Sequence, residues 1–111
     1  MKILQILAIV IVCCYVLVLL LLYIFQSKLI FYPGSLSREF SFKLGETGEE
    51  VFLHTSDGEE INGVFFQGSR DDVILYFHGN AGDLRGWQFV SEDFLDLGFS
   101  TLIIDYRGYG K

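Results

Sequence analysis

The sequence predicts an α/β protein carried behind an N-terminal membrane-spanning helix. Three observations point there. Ile3 to Phe25 is a run of 23 residues whose only strongly polar member is Gln5. Two short apolar runs, Val73 to Phe77 and Ser100 to Asp105, have the length and bounds of buried strands. Between them, Trp87, Val90, Phe94 and Leu97 recur at steps of three and four, the mark of a helix with one buried face. Strand, helix and strand joined by short loops form a βαβ unit, so the two strands should be parallel and connected right-handedly.

At 111 residues the chain has room for one domain of modest size. Its charge is lopsided beyond Phe25, with fourteen Asp and Glu against seven Lys and Arg (the eight of the whole chain less Lys2). Nothing gathers the basic residues into a patch, which argues against nucleic acid as a partner. Cys13 and Cys14 are adjacent inside the apolar run, with no spacing for zinc or a disulfide framework. They read as small residues of a bilayer helix, with S-acylation as the other reading.

Taken in order, the first element is the anchor. As a helix rising about 1.5 Å per residue, the apolar run would extend roughly 34 Å, against a hydrocarbon core of about 30 Å. A secretory signal has a shorter apolar stretch of about 7 to 15 residues and a small-residue cleavage site. The exit here, Tyr23-Ile24-Phe25-Gln26-Ser27-Lys28, has no such site, so an uncleaved single-pass anchor is expected over residues 1–27, with the bilayer as its partner. Lys28 can reach headgroups while Leu29 to Tyr32 sit at the apolar boundary, and Pro33-Gly34 ends any helix that continues. Residues 28–49 then read as a juxtamembrane linker, irregular and rich in Ser, Gly and Glu from Ser35 onward.

Glu50 to Thr55 and Glu60 to Phe66 are short β-like runs around Ser56-Asp57-Gly58-Glu59, whose Asp-Gly is a hairpin signal. The turn Gln67 to Asp72 leads to the strand Val73 to Phe77. Asp83 is placed to cap the following helix, Leu84 to Leu97, and Gly98 to stop it. The strands Val73 to Phe77 and Leu102 to Ile104 are apolar on both faces, as in the middle of a sheet covered on both sides. One helix covers one side, so the chain reads as the first part of a larger α/β domain.

The loop after the first of these strands, His78-Gly79-Asn80-Ala81-Gly82-Asp83, falls where parallel sheets bind ligands, beyond the carboxyl ends of the strands. Gly79 and Gly82 permit backbone angles closed to other residues, and a helix starting near Leu84 adds a partial positive charge. N–H groups fixed around a point of developing negative charge make an oxyanion hole. A tight structural turn is the alternative reading. It loses ground because Asp105-Tyr106-Arg107-Gly108-Tyr109-Gly110 closes the second strand at the same edge.

Strand-HGNAGD-helix followed by GFSTLIIDYRGYGK resembles the N-terminal portion of the α/β-hydrolase superfamily, most nearly its single-pass, membrane-anchored serine hydrolases of the bud-emergence type. The KLIFYP stretch, Lys28 to Pro33, and the paired-strand start belong to the same resemblance, which spans nearly the whole chain. It implies that residues 50–111 are a partial α/β-hydrolase domain. It also implies that the Asn80 backbone N–H, and less strongly that of Ala81, is one oxyanion donor. His78 matches the family's structural loop histidine rather than a general base. Asp105, Arg107, Gly108 and Gly110, with Gly79 and Gly82, match residues that shape the loops beside the site.

Hydrolysis by a Ser-His-Asp triad on this fold needs a nucleophile in G-x-S-x-G with acid and base later in the chain. No G-x-S-x-G occurs, and neither His54 nor His78 is placed as a base. No nucleophile, acid or base is therefore assigned, and the chain alone is expected to be inactive. No cofactor is implied: G-x-G-x-x-G and the phosphate-binding G-x-x-x-x-G-K-[ST] are both absent, and no metal-ligand spacing occurs. Two readings follow. The first is the front of a membrane-anchored serine hydrolase acting on esters, thioesters or amides, completed by the missing C-terminal part of its domain. The second is a non-catalytic truncated membrane protein that binds a partner.

Overall fold

The computed structural model describes residues 2–111, which divide into two compact units, a helix and the globular unit Tyr32–Lys111. The helix, α1 (Lys2–Ile30), is 29 residues long and buries none of them. It is apolar on nearly every side, as in a membrane span, a leader or the core helix of a larger protein. It is long and apolar enough to span a membrane.

The globular unit contains β1 (Tyr32–Pro33), β2 (Gly48–His54), β3 (Glu60–Phe66), β4 (Val73–Phe77), β5 (Ala81–Gly82), α2 (Leu84–Trp87), α3 (Ser91–Leu95) and β6 (Ser100–Ile104). The main sheet has the order β2-β3-β6-β4. β2 and β3 form the hairpin that Asp57-Gly58 signals, with Gly58 at φ +88° closing the turn. β3 runs antiparallel to β6, and β6 runs parallel to β4 from Val73↔Ser100 to Phe77↔Ile104. That is the strand pairing expected of the βαβ unit.

This register places Ile74 and Tyr76, Thr101 and Ile103, and Val64 and Phe66 on one face. There Val64, Phe66 and Ile103 pack with Leu84, and Phe42, Leu44, Tyr76, Val90 and Leu95 close around them. Complete burial of Val64, Leu84 and Ile103 contributes about 2 kcal/mol each. The opposite face is bare at β4, where Val73, Leu75 and Phe77 remain 50–58% exposed.

Four differences from the sequence reading have physical causes. β4, expected inside a sheet, is an edge strand among the described residues, because only β6 pairs with it. The single helix Leu84 to Leu97 is instead α2, a 3₁₀ turn (Gln88–Val90) and α3. Gly86 weakens the first turn, and the Trp87 indole is tied back to the Ala81 carbonyl at 2.8 Å, so Trp87 departs to φ −98° at the junction. The buried stripe is also rotated, running through Leu84, Gln88 and Ser91, while Leu97 is exposed. Ser91 tolerates burial by bonding its Oγ to Gln88 O, and Gln88 bonds Nε2 to Arg85 O while its Oε1 is left without a partner among the described residues.

The fourth concerns residues 32–49. They follow an irregular path, as expected from Ser35 onward, but they are part of the globular unit and not a free tether. β1 pairs in parallel with β5, Ser35 bridges Gly110, Leu36 is buried, and Phe42 and Leu44 pack on the core. Apolar residues at 36, 42 and 44 supply the burial that holds this segment down.

Candidate active site

β4 and β6 end side by side at Phe77 and Ile104, so the loops 78–83 and 105–110 leave the sheet at one edge. His78 and Asp105 open these loops, and both side chains are almost fully buried. His78 Nε2 lies 3.0 Å from Asp105 Oδ1, and His78 Nδ1 lies 2.6 Å from the Gly79 carbonyl. Trp87 stacks on the imidazole at 5.7 Å, and the Tyr106 and Tyr109 rings close its other sides at 4.6 and 5.6 Å. Burial pushes the Asp105 carboxyl up to about 6, and the nearby Asp83 charge adds to that, while the His78 bond and charge oppose it.

The loop is held by its carbonyls. The Tyr106 hydroxyl donates to His78 O, His78 Nδ1 meets Gly79 O, and Asn80 O accepts from Tyr32 N–H at 2.9 Å and from the Tyr109 hydroxyl at 3.0 Å. Ala81 O accepts from Trp87 Nε1, and Gly82 O from Gly34 N–H at 2.7 Å. Five successive carbonyls are thus fixed, and no peptide is cis. In a trans peptide the N–H points opposite to the preceding C=O. The Asn80 N–H is therefore aimed away from the imidazole, and the Ala81 N–H away from β1 and Tyr109. Pinned carbonyls with directed N–H groups are the backbone arrangement an anion-stabilising loop requires.

Gly82 turns the chain at φ +85° into Asp83, which caps α2 by accepting from Arg85 N–H at 2.9 Å. Asp83 is itself buried and carries Arg85 Nη2 at 3.2 Å. Gly110 lies at φ +60° with its Cα against Asp105, and a Cβ there would collide with Asp105 Oδ2. A Cβ on Gly34 would likewise strike Asp83 Oδ2. The Gly110 N–H donates to Gly34 O at 2.9 Å, so the two glycines lock together behind the two carboxylates.

Of the residues singled out from the sequence, the structure brings His78, Gly79, Asn80, Ala81, Gly82, Asp105 and Gly110 into this cluster. Gly108 is a turn glycine at φ +78° with open space around it. Arg107 points elsewhere, making a two-pronged ion pair with Asp57 at 2.6 and 2.8 Å that ties this loop to the β2–β3 turn. That pair holds the Asp57 carboxyl well below the usual carboxylate range. The helical support is shorter than expected, because α2 has only four residues. The sequence reading missed Gly34, Trp87, Tyr106 and Tyr109 as parts of the site. For the three aromatic residues the signal was chemical: side chains with a polar tip, placed after the two strands, can pack and donate at once. Among the described residues no three His, Cys, Asp or Glu side chains gather as metal ligands.

No protein-family model matches the chain. It is similar to two uncharacterised proteins of Mycobacterium tuberculosis, from strains CDC 1551 / Oshkosh and ATCC 25618 / H37Rv. Each is 32% identical over 88 residues, covering 77% of this chain and 31% of the relative. A 2-hydroxy-6-oxononadienedioate/2-hydroxy-6-oxononatrienedioate hydrolase of a Pseudomonas species is 35% identical over 72 residues, 60% of this chain and 25% of that protein. Among solved structures, an esterase of Pyrococcus furiosus superposes in two crystal forms. The TM-scores are 0.58 and 0.56 at 21% and 23% identity, over 74% and 72% of this chain and 32% and 33% of the esterase. The chain thus spans about a third of the curated mycobacterial relatives and of the esterase. What the structural likeness establishes is fold: the chain is a mixed helix and strand protein with an apolar N-terminal helix, and it superposes on about a third of an esterase.

Proposed function

We propose that residues 1–111 are the oxyanion-loop-bearing front of a membrane-anchored α/β serine hydrolase of the bud-emergence type, cleaving esters, thioesters or amides. In this reading the backbone N–H groups of Asn80 and Ala81 stabilise the developing oxyanion. His78, Gly79, Gly82, Asp105 and Gly110 hold the loop, and Arg107 and Gly108 shape the neighbouring one. The observation that carries the reading is the set of five fixed carbonyls from His78 to Gly82, at the carboxyl end of a strand parallel to its neighbour. The hydrolase and esterase likenesses support the reaction class. The nucleophile, acid, base and second oxyanion donor come from sequence outside these residues, so residues 1–111 alone do not turn over substrate. The same outside sequence covers the bare face at Val73, Leu75 and Phe77. α1 serves as an uncleaved anchor in the bilayer.

The test is intact-mass measurement of the protein from its native membrane, followed by a fluorophosphonate serine probe. A species larger than this chain's 12.7 kDa that takes the label is expected. An unlabelled species at that mass would overturn the reading. It would favour the non-catalytic alternative, in which the exposed apolar row on β4 docks a partner.

A further inference from the structure

The His78–Asp105 contact contains a protonation puzzle that its geometry resolves. A carbonyl oxygen only accepts, so the 2.6 Å contact to Gly79 O requires the proton on His78 Nδ1. A neutral imidazole is then bare at Nε2, where Asp105 Oδ1 sits 3.0 Å away. A bare nitrogen facing an ionised carboxylate would set lone pair against lone pair, between side chains that are 0% and 1% exposed. The other carboxylate oxygen, Oδ2, packs against Gly110 and has no hydrogen-bond partner among the described residues, while the Leu84 backbone N–H faces the carboxyl and favours its charged form.

We infer that His78 and Asp105 are a positioning pair for the Asn80 N–H: one continuous chain, Asp105 carboxyl to His78 Nε2 and His78 Nδ1–H to Gly79 O, needs a shared second proton to be satisfied along its whole length. With that proton present, the Gly79–Asn80 peptide is held and its N–H has a single direction. When the proton leaves, one end of the chain fails. Either Nε2 faces a carboxylate unbonded, or the imidazole moves its proton to Nε2 and releases Gly79 O. The Leu84 backbone N–H favours the charged carboxylate but brings no proton to Nε2, and the other groups facing the pair from neighbouring elements do not relieve this. Asp83, at the start of α2, adds negative charge and is itself partnered by Arg85. The Tyr106 and Tyr109 hydroxyls are engaged by His78 O and Asn80 O, and Trp87 contributes only an uncharged face. The raised carboxyl of Asp105 accords with a retained proton.

That this aim matters for chemistry rests on the oxyanion reading, whereas the protonation pattern is measurable without any activity. The experiment is ¹⁵N NMR of histidine-labelled residues 1–111 in detergent micelles, reading which ring nitrogen carries hydrogen between about pH 5 and about pH 9. The exposed His54 is removed as His54→Gln to assign the signals. Expected is a protonated Nδ1 on His78 at the acid end, and a change in its ring-nitrogen signals with a shift of the Asn80 amide resonance on the way to the alkaline end. In Asp105→Asn the amide N–H can donate to Nε2, so His78 should stay protonated at Nδ1 throughout. A bare Nδ1 at the acid end, a wild-type signal that does not change across the range, or an Asp105→Asn signal that titrates like wild type would each overturn the inference. Should Asp105→Asn fail to fold, the wild-type spectra still decide. A failed serine-probe experiment leaves this result untouched, so the two readings fail separately.

Discussion

Gly110 shows how much one residue constrains at this site. It needs φ +60°, which side chains disfavour, and its Cα occupies the space a Cβ would contest with Asp105 Oδ2. Gly110→Ala therefore carries a backbone penalty and a buried clash, and should cost about 2–4 kcal/mol. Urea unfolding in detergent, followed through the fluorescence of the one tryptophan, Trp87, measures it. Asp105 gives the pH dependence. Its folded value is about 6, above the ordinary 3.8, so between those values the native state binds more protons than the unfolded one. Stability should fall as pH rises through that window, and Asp105→Asn should flatten the fall by about 1–2 kcal/mol. Asp57 acts in the opposite sense, since a depressed carboxyl loses its stabilisation on acidification, but its pair with Arg107 is exposed and screened. The placement of His78, Asp105 and Gly110 at one sheet edge was legible because HG and DYRGYG are local patterns that follow the two strands. Gly34 was not legible: its reason is a contact with Asp83, 49 positions away in sequence.

Among the elements, the hairpin and the parallel pair were readable because both rest on short-range signals, Asp-Gly for the turn and two apolar runs for the strands. The helix was misread in length and in face, and the cause is tertiary. Trp87 satisfies its indole N–H at Ala81, and that tether outweighs the regular continuation that periodicity favours. The 32–49 segment was misread as a linker because β1 is only two residues long, and its partner β5 lies in the loop itself. No periodicity announces such a pairing. Within α2 the cap carries the local energy. Asp83→Ala removes the acceptor for Arg85 N–H and should cost about 1–2 kcal/mol of unfolding free energy. Asp83→Asn keeps a side-chain acceptor and should recover most of that loss, while lowering the Asp105 carboxyl by removing a neighbouring negative charge. Paired urea titrations of the two variants separate cap from charge.

For the whole molecule, the bare apolar row on β4 and the all-round apolar α1 are two different demands for cover. The β4 row exposes Val73, Leu75 and Phe77 on a strand edge, a surface that invites protein. α1 is uniform around its axis and 29 residues long, so at about 1.5 Å per residue it extends roughly 44 Å. That exceeds a hydrocarbon core of about 30 Å, and Lys28 sits in its last turn, where an anchor would let a long side chain reach headgroups. A cleaved leader and an anchor make different predictions here. An anchored chain should stay with the membrane pellet under alkaline carbonate, and its intact mass should include residues 2–30. A supernatant species lacking them would show α1 to be a removed leader. Placing a lysine at the centre of the span, as Val16→Lys, should cost about 3 kcal/mol of insertion and shift the carbonate partition toward the supernatant. Leu84→Ala, which opens the core of the globular unit, should lower its urea midpoint and leave that partition unchanged. Opposite responses to the two substitutions would locate membrane retention in α1 and folding stability in Tyr32–Lys111.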